Sequence, residues 1–164
     1  MSDFGLEKLL RRLSNNLSED KLVQDVTDNV RNELGVDRVF LYYFYRQWEG
    51  RVTFESLSSA DYSILGSTGP DECFNGEYAQ LYLDGRIRAI ADVSTAQIAE
   101  CHRDFLRQID VKANLVVPVL TSKGLWGLLV AHHCQSSFNW SEHHIATMKT
   151  GAKRLAEAET IEND

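Results

Sequence analysis

The chain has 164 residues, with 17 Lys and Arg against 24 Asp and Glu for a net charge of −7, and it is 43% hydrophobic and 25% charged. That size and balance describe one globular domain, which buries roughly 70% of its unfolded surface and needs no disulfide or metal staple to fold. Acidity without any Lys/Arg block argues against nucleic acid and direct membrane contact, and no apolar run approaches the ~20 residues that span a bilayer.

In chain order, Phe4, Leu6, Leu9, Leu10, Leu13 and Leu17 mark an amphipathic helix. The spacing of Leu22, Val23, Val26, Val30 and Leu34 predicts a second, with Ser18 as N-cap, Glu19 and Asp20 in its first turn and Gly35 as its stop. Aromatic and branched residues over 37–46, then Glu49-Gly50, then alternating Val52, Phe54 and Ser56 predict a β-hairpin. The stretch 60–86 is rich in Gly, Ser, Asp and Tyr, and a connection this long is expected to be a functional loop or to carry small helices. A short strand is expected from Arg88 to Val93, followed by a helical segment capped by Ser94 with Ile98, Cys101 or His102, Phe105 and Ile109 on one side. Strands from Ala113 to Leu120 and from Leu125 to about His133 follow, and Ser141 caps a last helix bearing Ile145, Met148, Ala152 and Leu155.

This order lacks βαβ alternation, so it predicts an α+β domain, with a mainly antiparallel sheet and helices packed on it. Neither a repeat nor a linker divides residues 1–164. The apolar stripes of the terminal helices are a signal for a homodimer or for continuation into a neighbouring output domain. The start, Met1-Ser2-Asp3-Phe4-Gly5, has no signal-type apolar stretch, so a cytoplasmic location is expected, with a place in a longer membrane-anchored receptor left open.

Three cysteines, Cys73, Cys101 and Cys134, cannot all pair within the chain and suit a reducing compartment. Cys101 is followed by His102 and Arg103, an electropositive setting that favours a thiolate, whereas Asp71 and Glu72 before Cys73 make it the weaker nucleophile. Both cysteines also read as ordinary helix and loop residues. Cys101 with His102 as base would be a thiol enzyme, but adjacent helical residues point about 100° apart, which is poor geometry for that pairing, and no enzymatic activity is expected. A zinc site from His132, Cys134 and the His143-His144 pair has no recognised ligand spacing behind it, and no metal is expected.

The motif Asp71-Glu72-Cys73-Phe74, with Cys101-His102 beginning 28 residues after its cysteine, resembles the Asp-Xaa-Cys-Phe class of cyanobacteriochromes, bilin-binding GAF domains of cyanobacterial photoreceptors. The likeness extends through Gly85 to Asp92, Lys112 to Val119 and Leu125 to Cys134, and so covers nearly the whole chain as a single bilin-binding GAF domain with terminal signalling helices. It implies a GAF fold with helices on both sides of the sheet. It also implies a covalent linear tetrapyrrole, phycocyanobilin or phycoviolobilin, held by a permanent thioether at Cys101 and a reversible bond from Cys73. Breaking the second bond as light isomerises the 15Z double bond to 15E would switch the module between blue- and green-absorbing states. The resemblance assigns Asp71 to the pyrrole N–H groups, His102 to packing on the bilin, Phe74 to the pocket wall, Tyr82 to a place near the chromophore, and His132 to the ring-D or propionate side. Arg86 and Arg88 suit the bilin propionates, since arginine matches carboxylates geometrically, and read equally well as solvated strand residues. Without the resemblance, Asp71 is a turn acid, His102 a polar helix position and Phe74 a core residue. The rival reading is a GAF regulatory domain binding a small colourless ligand such as a cyclic nucleotide.

Overall fold

A computed structural model describes residues 2–46, 49–69 and 76–164 of the chain. Helices α1 (Ser2–Glu19) and α2 (Lys21–Leu34) are followed by strands β1 (Arg38–Arg46) and β2 (Glu49–Leu57). A single 3-10 turn (Ala60–Tyr62), α3 (Gly76–Leu83), β3 (Arg88–Ile90) and α4 (Glu100–Gln108) come next. Strands β4 (Ala113–Thr121) and β5 (Gly124–His133) and helices α5 (Glu142–Ala156) and α6 (Glu159–Glu162) complete the order.

The second helix begins later than its spacing predicts. Helix α1 runs through Ser18, whose hydroxyl donates back to the Asn15 carbonyl at 2.8 Å, and Asp20 is the N-cap of α2. Its Oδ1 accepts from the Leu22 and Val23 amides at 3.1 and 3.3 Å, while Oδ2 accepts the Thr160 hydroxyl at 2.9 Å and ties α6 to this junction. Asp outcompetes the upstream Ser because one carboxylate serves both the orphan amides and a distant hydroxyl. Gly35 stops α2 as expected, at φ 66° in the left-handed region. Gly50 lies within β2 instead of in a turn, opposite Phe44, where a side chain would collide with the Tyr42 ring. The last helix starts where expected: Ser141 accepts from the His144 amide at 3.2 Å and His144 returns the contact in a capping box.

The five strands form one antiparallel sheet in the order β2-β1-β5-β4-β3. Its register settles the whole layout, because successive side chains on a strand point to opposite faces. Val39, Leu41, Leu115, Val117, Leu129 and Ala131 turn toward α1, α2 and α5 and join Leu17, Val23, Val26, Val30, Met148 and Leu155 in the main core. Phe40, Tyr42, Val116, Leu128 and Val130 turn to the other face, where Tyr82 of α3 meets them. On that side Leu106 of α4 packs with Ile90, Val93 and Val111 in a smaller cluster. Helices therefore cover both faces, but only one face is packed solid. Among the described residues, no helix is long and apolar enough to cross a membrane.

Candidate functional site

A cavity of about 870 Å³, its open mouth included, lies between the second face of the sheet and α3 and α4. Its body is apolar. Phe40, Tyr42, Val116, Leu128 and Val130 form the floor, and Tyr82, Phe105 and Leu106 form the opposite wall. Tyr82 is only 4% exposed, and α3 carries it to this wall. The Tyr42 hydroxyl accepts the Gly69 amide at 2.7 Å and pins the chain at the cavity edge just before the segment 70–75.

The polar end is built by register. Arg38 of β1 stands opposite His132 of β5, which stands opposite Asn114 of β4, so three adjacent strands put three polar side chains on one rung of the cavity face. Each is buried, at 2%, 1% and 2% exposure. The Arg38 Nε donates to His132 Nδ1 at 3.1 Å, and its two terminal nitrogens donate to the Tyr62 and Ile109 carbonyls at 2.7 and 2.8 Å. The Phe40 ring meets the His132 ring edge-on, with centroids 5.0 Å apart. Asn114 Oδ1 is buried without a hydrogen-bond partner. Arg88 of β3, opposite Val116, also lines the cavity.

Helix α4 places the cysteine–histidine pair. Ser94 does not cap it: its amide and hydroxyl both bond to Asp92 Oδ1, at 3.0 and 2.7 Å, in a separate turn that holds the carboxyl below its usual range. The helix opens instead at Glu100, after Ala99, and this later start puts Cys101 and His102 in its first turn. His102 lines the cavity. Burial, reinforced by the Arg88 charge, pushes its imidazole down to about 4. His132 lies well below the ordinary histidine range through burial, the Arg38 guanidinium and His102. Both rings are thus neutral near pH 7. Cys101 takes part in a disulfide, so its sulfur acts as a nucleophile only after reduction.

Of the residues singled out in the sequence, His102, His132, Tyr82 and Arg88 come together around one cavity, with Cys101 next to His102 on the helix that covers it. Arg86 reaches the same region, its guanidinium 6.0 Å from the Tyr82 ring centroid. Asp71, Cys73 and Phe74 lie outside the described residues. Cys134 is buried just beyond β5, where its amide donates to Asp37 Oδ2 at 2.8 Å and burial raises its thiol. Among the described residues no three His, Cys, Asp or Glu side chains are grouped to hold a metal. The sequence reading passed over Arg38 and Asn114. The signal was available, since a charged residue heading an apolar strand and a polar one inside another both share the face of His132 once the strands are aligned.

The fold has close counterparts. Residues 18–158 match the model of the GAF domain family. An uncharacterized protein of Picosynechococcus is 47% identical over 95% of this chain and 96% of its own length. A Synechocystis protein described as a methyl-accepting chemotaxis protein is 34% identical over 85% of this chain, which spans 14% of that protein. Among solved structures, the blue-light absorbing form of the Thermosynechococcus elongatus PixJ GAF domain is 32% identical, with a TM-score of 0.71 over 82% of this chain and 84% of that one. A phycocyanobilin-bound GAF domain from a cyanobacterial phytochrome is 28% identical, with a TM-score of 0.74 over 92% of this chain and 91% of its own. A five-stranded antiparallel sheet with helices on both faces, matched along nearly its whole length, belongs to the GAF domain family.

Proposed function

We propose that the chain is a photosensory GAF module that binds a linear tetrapyrrole, phycocyanobilin or phycoviolobilin, through Cys101 and switches reversibly between blue- and green-absorbing states with Cys73 as a second, reversible thiol. The observation that carries this reading is the placement of Cys101 and His102 in the first turn of the helix that covers an apolar cavity. An apolar body with a few convergent polar groups is the usual make-up of a small-molecule site. The buried Asn114 Oδ1, which no donor among the described residues serves, fits a ligand carrying N–H groups.

A bound tetrapyrrole supplies the visible absorption and the double bond that light isomerises. The chain's own residues do the rest. Cys101, once reduced, would hold the pigment through a thioether to its ring-A side chain, the thiol proton passing to the neighbouring carbon. The partial positive charge at the α4 N-terminus favours the anionic sulfur that attacks. Neutral His102 and Tyr82 would flank the ligand with flat surfaces, Arg86 and Arg88 would attract its carboxylates, and the resemblance gives Asp71 the pyrrole N–H groups and Phe74 a part of the pocket wall. The Synechocystis relative, of which this chain spans 14%, supports a fused output domain, and the Picosynechococcus relative, matched over 96% of its length, supports a neighbouring one.

Co-expression with a bilin-synthesising pathway, followed by absorption before and after blue illumination, tests the reading. The expected result is a blue band that gives way to a green one and returns. With Cys73→Ala, pigment is still attached and the blue band is lost. A colourless wild type that binds a cyclic nucleotide tightly would establish the rival reading instead.

A further inference from the structure

We propose that Cys101 and Cys73 form one redox-active disulfide, and that a dithiol reductant must open it before the chain can take up pigment. The pigment step rests on the proposed function, whereas the disulfide is a property of the pigment-free protein.

The pairing follows by elimination. The chain has three cysteines, Cys73, Cys101 and Cys134. Cys101 is disulfide-bonded, and Cys134 is a free thiol buried just beyond β5. Within one chain this leaves Cys73, which lies outside the described residues. Such a bond closes a loop that contains α3, with Tyr82, and β3, with Arg88, both of which line the cavity. Oxidation therefore withholds both thiols that the proposed function gives to the pigment, and it ties down the cavity wall while the pigment is absent.

The surroundings make this pair the exchangeable one. Cys101 is exposed in the first turn of α4, within reach of a reductant, whereas Cys134 is 7% exposed and burial pushes its thiol up. Cys134 is thus neither accessible nor ionised enough to shuffle the bond. The helix N-terminus stabilises a Cys101 thiolate, while Asp71 and Glu72 precede Cys73, so Cys101 is the better leaving group. One thiolate of the reductant attacks the Cys73 sulfur, the S–S bond breaks, and Cys101 departs as a thiolate. The second thiol of the reductant then displaces Cys73 from the mixed disulfide. Two electrons and two protons pass from the dithiol to the protein, the reductant leaves as a disulfide, and the released Cys101 stands next to cavity-lining His102.

The test starts with pigment-free protein equilibrated in oxidised dithiothreitol. Alkylation followed by peptide mass analysis should find the Cys73 and Cys101 peptides joined and Cys134 alkylated, and reduced dithiothreitol should make all three alkylatable. Three free thiols in the oxidising buffer, or Cys101 joined to Cys134 or to a second chain, would overturn the proposal. Melting temperature should fall on reduction for the wild type and for Cys134→Ser, and should not respond in Cys73→Ser. A Cys73→Ser protein that still responds would overturn the pairing. Glutathione, a monothiol, should be trapped on the Cys73 peptide, and its capture on Cys101 would overturn the order of attack. Phycocyanobilin added to oxidised protein should stay unattached until reduced dithiothreitol is supplied. Covalent pigment on the oxidised protein would overturn the redox control. Reduced protein that stays colourless would defeat the proposed function and leave the disulfide result standing.

Discussion

Leu128 and Leu129 are neighbours on β5, yet they belong to two differently built halves of the molecule. Leu129 has no exposed surface and packs among the aliphatic side chains of α2 and α5. Leu128 is almost as buried, but it lines open volume together with aromatic rings, two neutral histidines and an arginine. One face of the sheet is filled to solid density and holds the domain together. The other keeps space and unmet hydrogen-bonding capacity at the same level of burial, a condition that costs stability and is expected where a ligand completes the interior.

That contrast can be broken by truncating the two leucines separately. Leu129→Ala removes buried atoms and leaves a new void, so its cost should lie near the top of the about 2–5 kcal/mol range for such changes. Leu128→Ala enlarges an existing cavity and should cost near the bottom of that range, about 2 kcal/mol. Urea unfolding of the pigment-free variants checks both, and equal costs would erase the distinction between the faces.

Acid should weaken the cavity side first. His102 and His132 have folded pKa values below their unfolded ones, so the unfolded chain binds more protons as pH falls. The stability held by these neutral rings is complete above about 6.5 and declines as pH drops toward about 4. Melting temperature against pH should fall across that window, and His102→Gln should flatten the decline. The smallest effect belongs to the helix layer. Asp20→Ala removes the α2 cap and should cost about 1 kcal/mol while leaving the absorption of pigmented protein unchanged. A spectral shift from that distant cap would show that the two faces are coupled.

The sequence displayed the helix face far better than the cavity face. Apolar recurrence from Leu22 to Leu34 and from Ile145 to Leu155 carries its own period, so those helices were legible one at a time. The start of α2 was not, because Asp20 wins the cap from Ser18 partly through Thr160, which is distant in sequence. The start of α4 was misplaced for a related reason: Ser94 spends its hydroxyl on Asp92, and Ala99 offers no capping side chain to mark the true start. The cysteine–histidine pair, His132 and Tyr82 stood out as residue types. The Arg38–His132–Asn114 rung did not, since it exists only when three strands separated by most of the chain come into register.

The central claim is that the cavity face holds a bilin bonded to Cys101. The most direct measurement is the absorption spectrum of acid-denatured protein, produced under reducing conditions with a bilin-synthesising pathway, for the wild type and for Cys101→Ala. Denaturation removes every non-covalent contact, so only a bonded pigment stays with the chain. The wild-type polypeptide should be coloured and the Cys101→Ala polypeptide colourless. A colourless wild type, or pigment still bonded to Cys101→Ala, would contradict it.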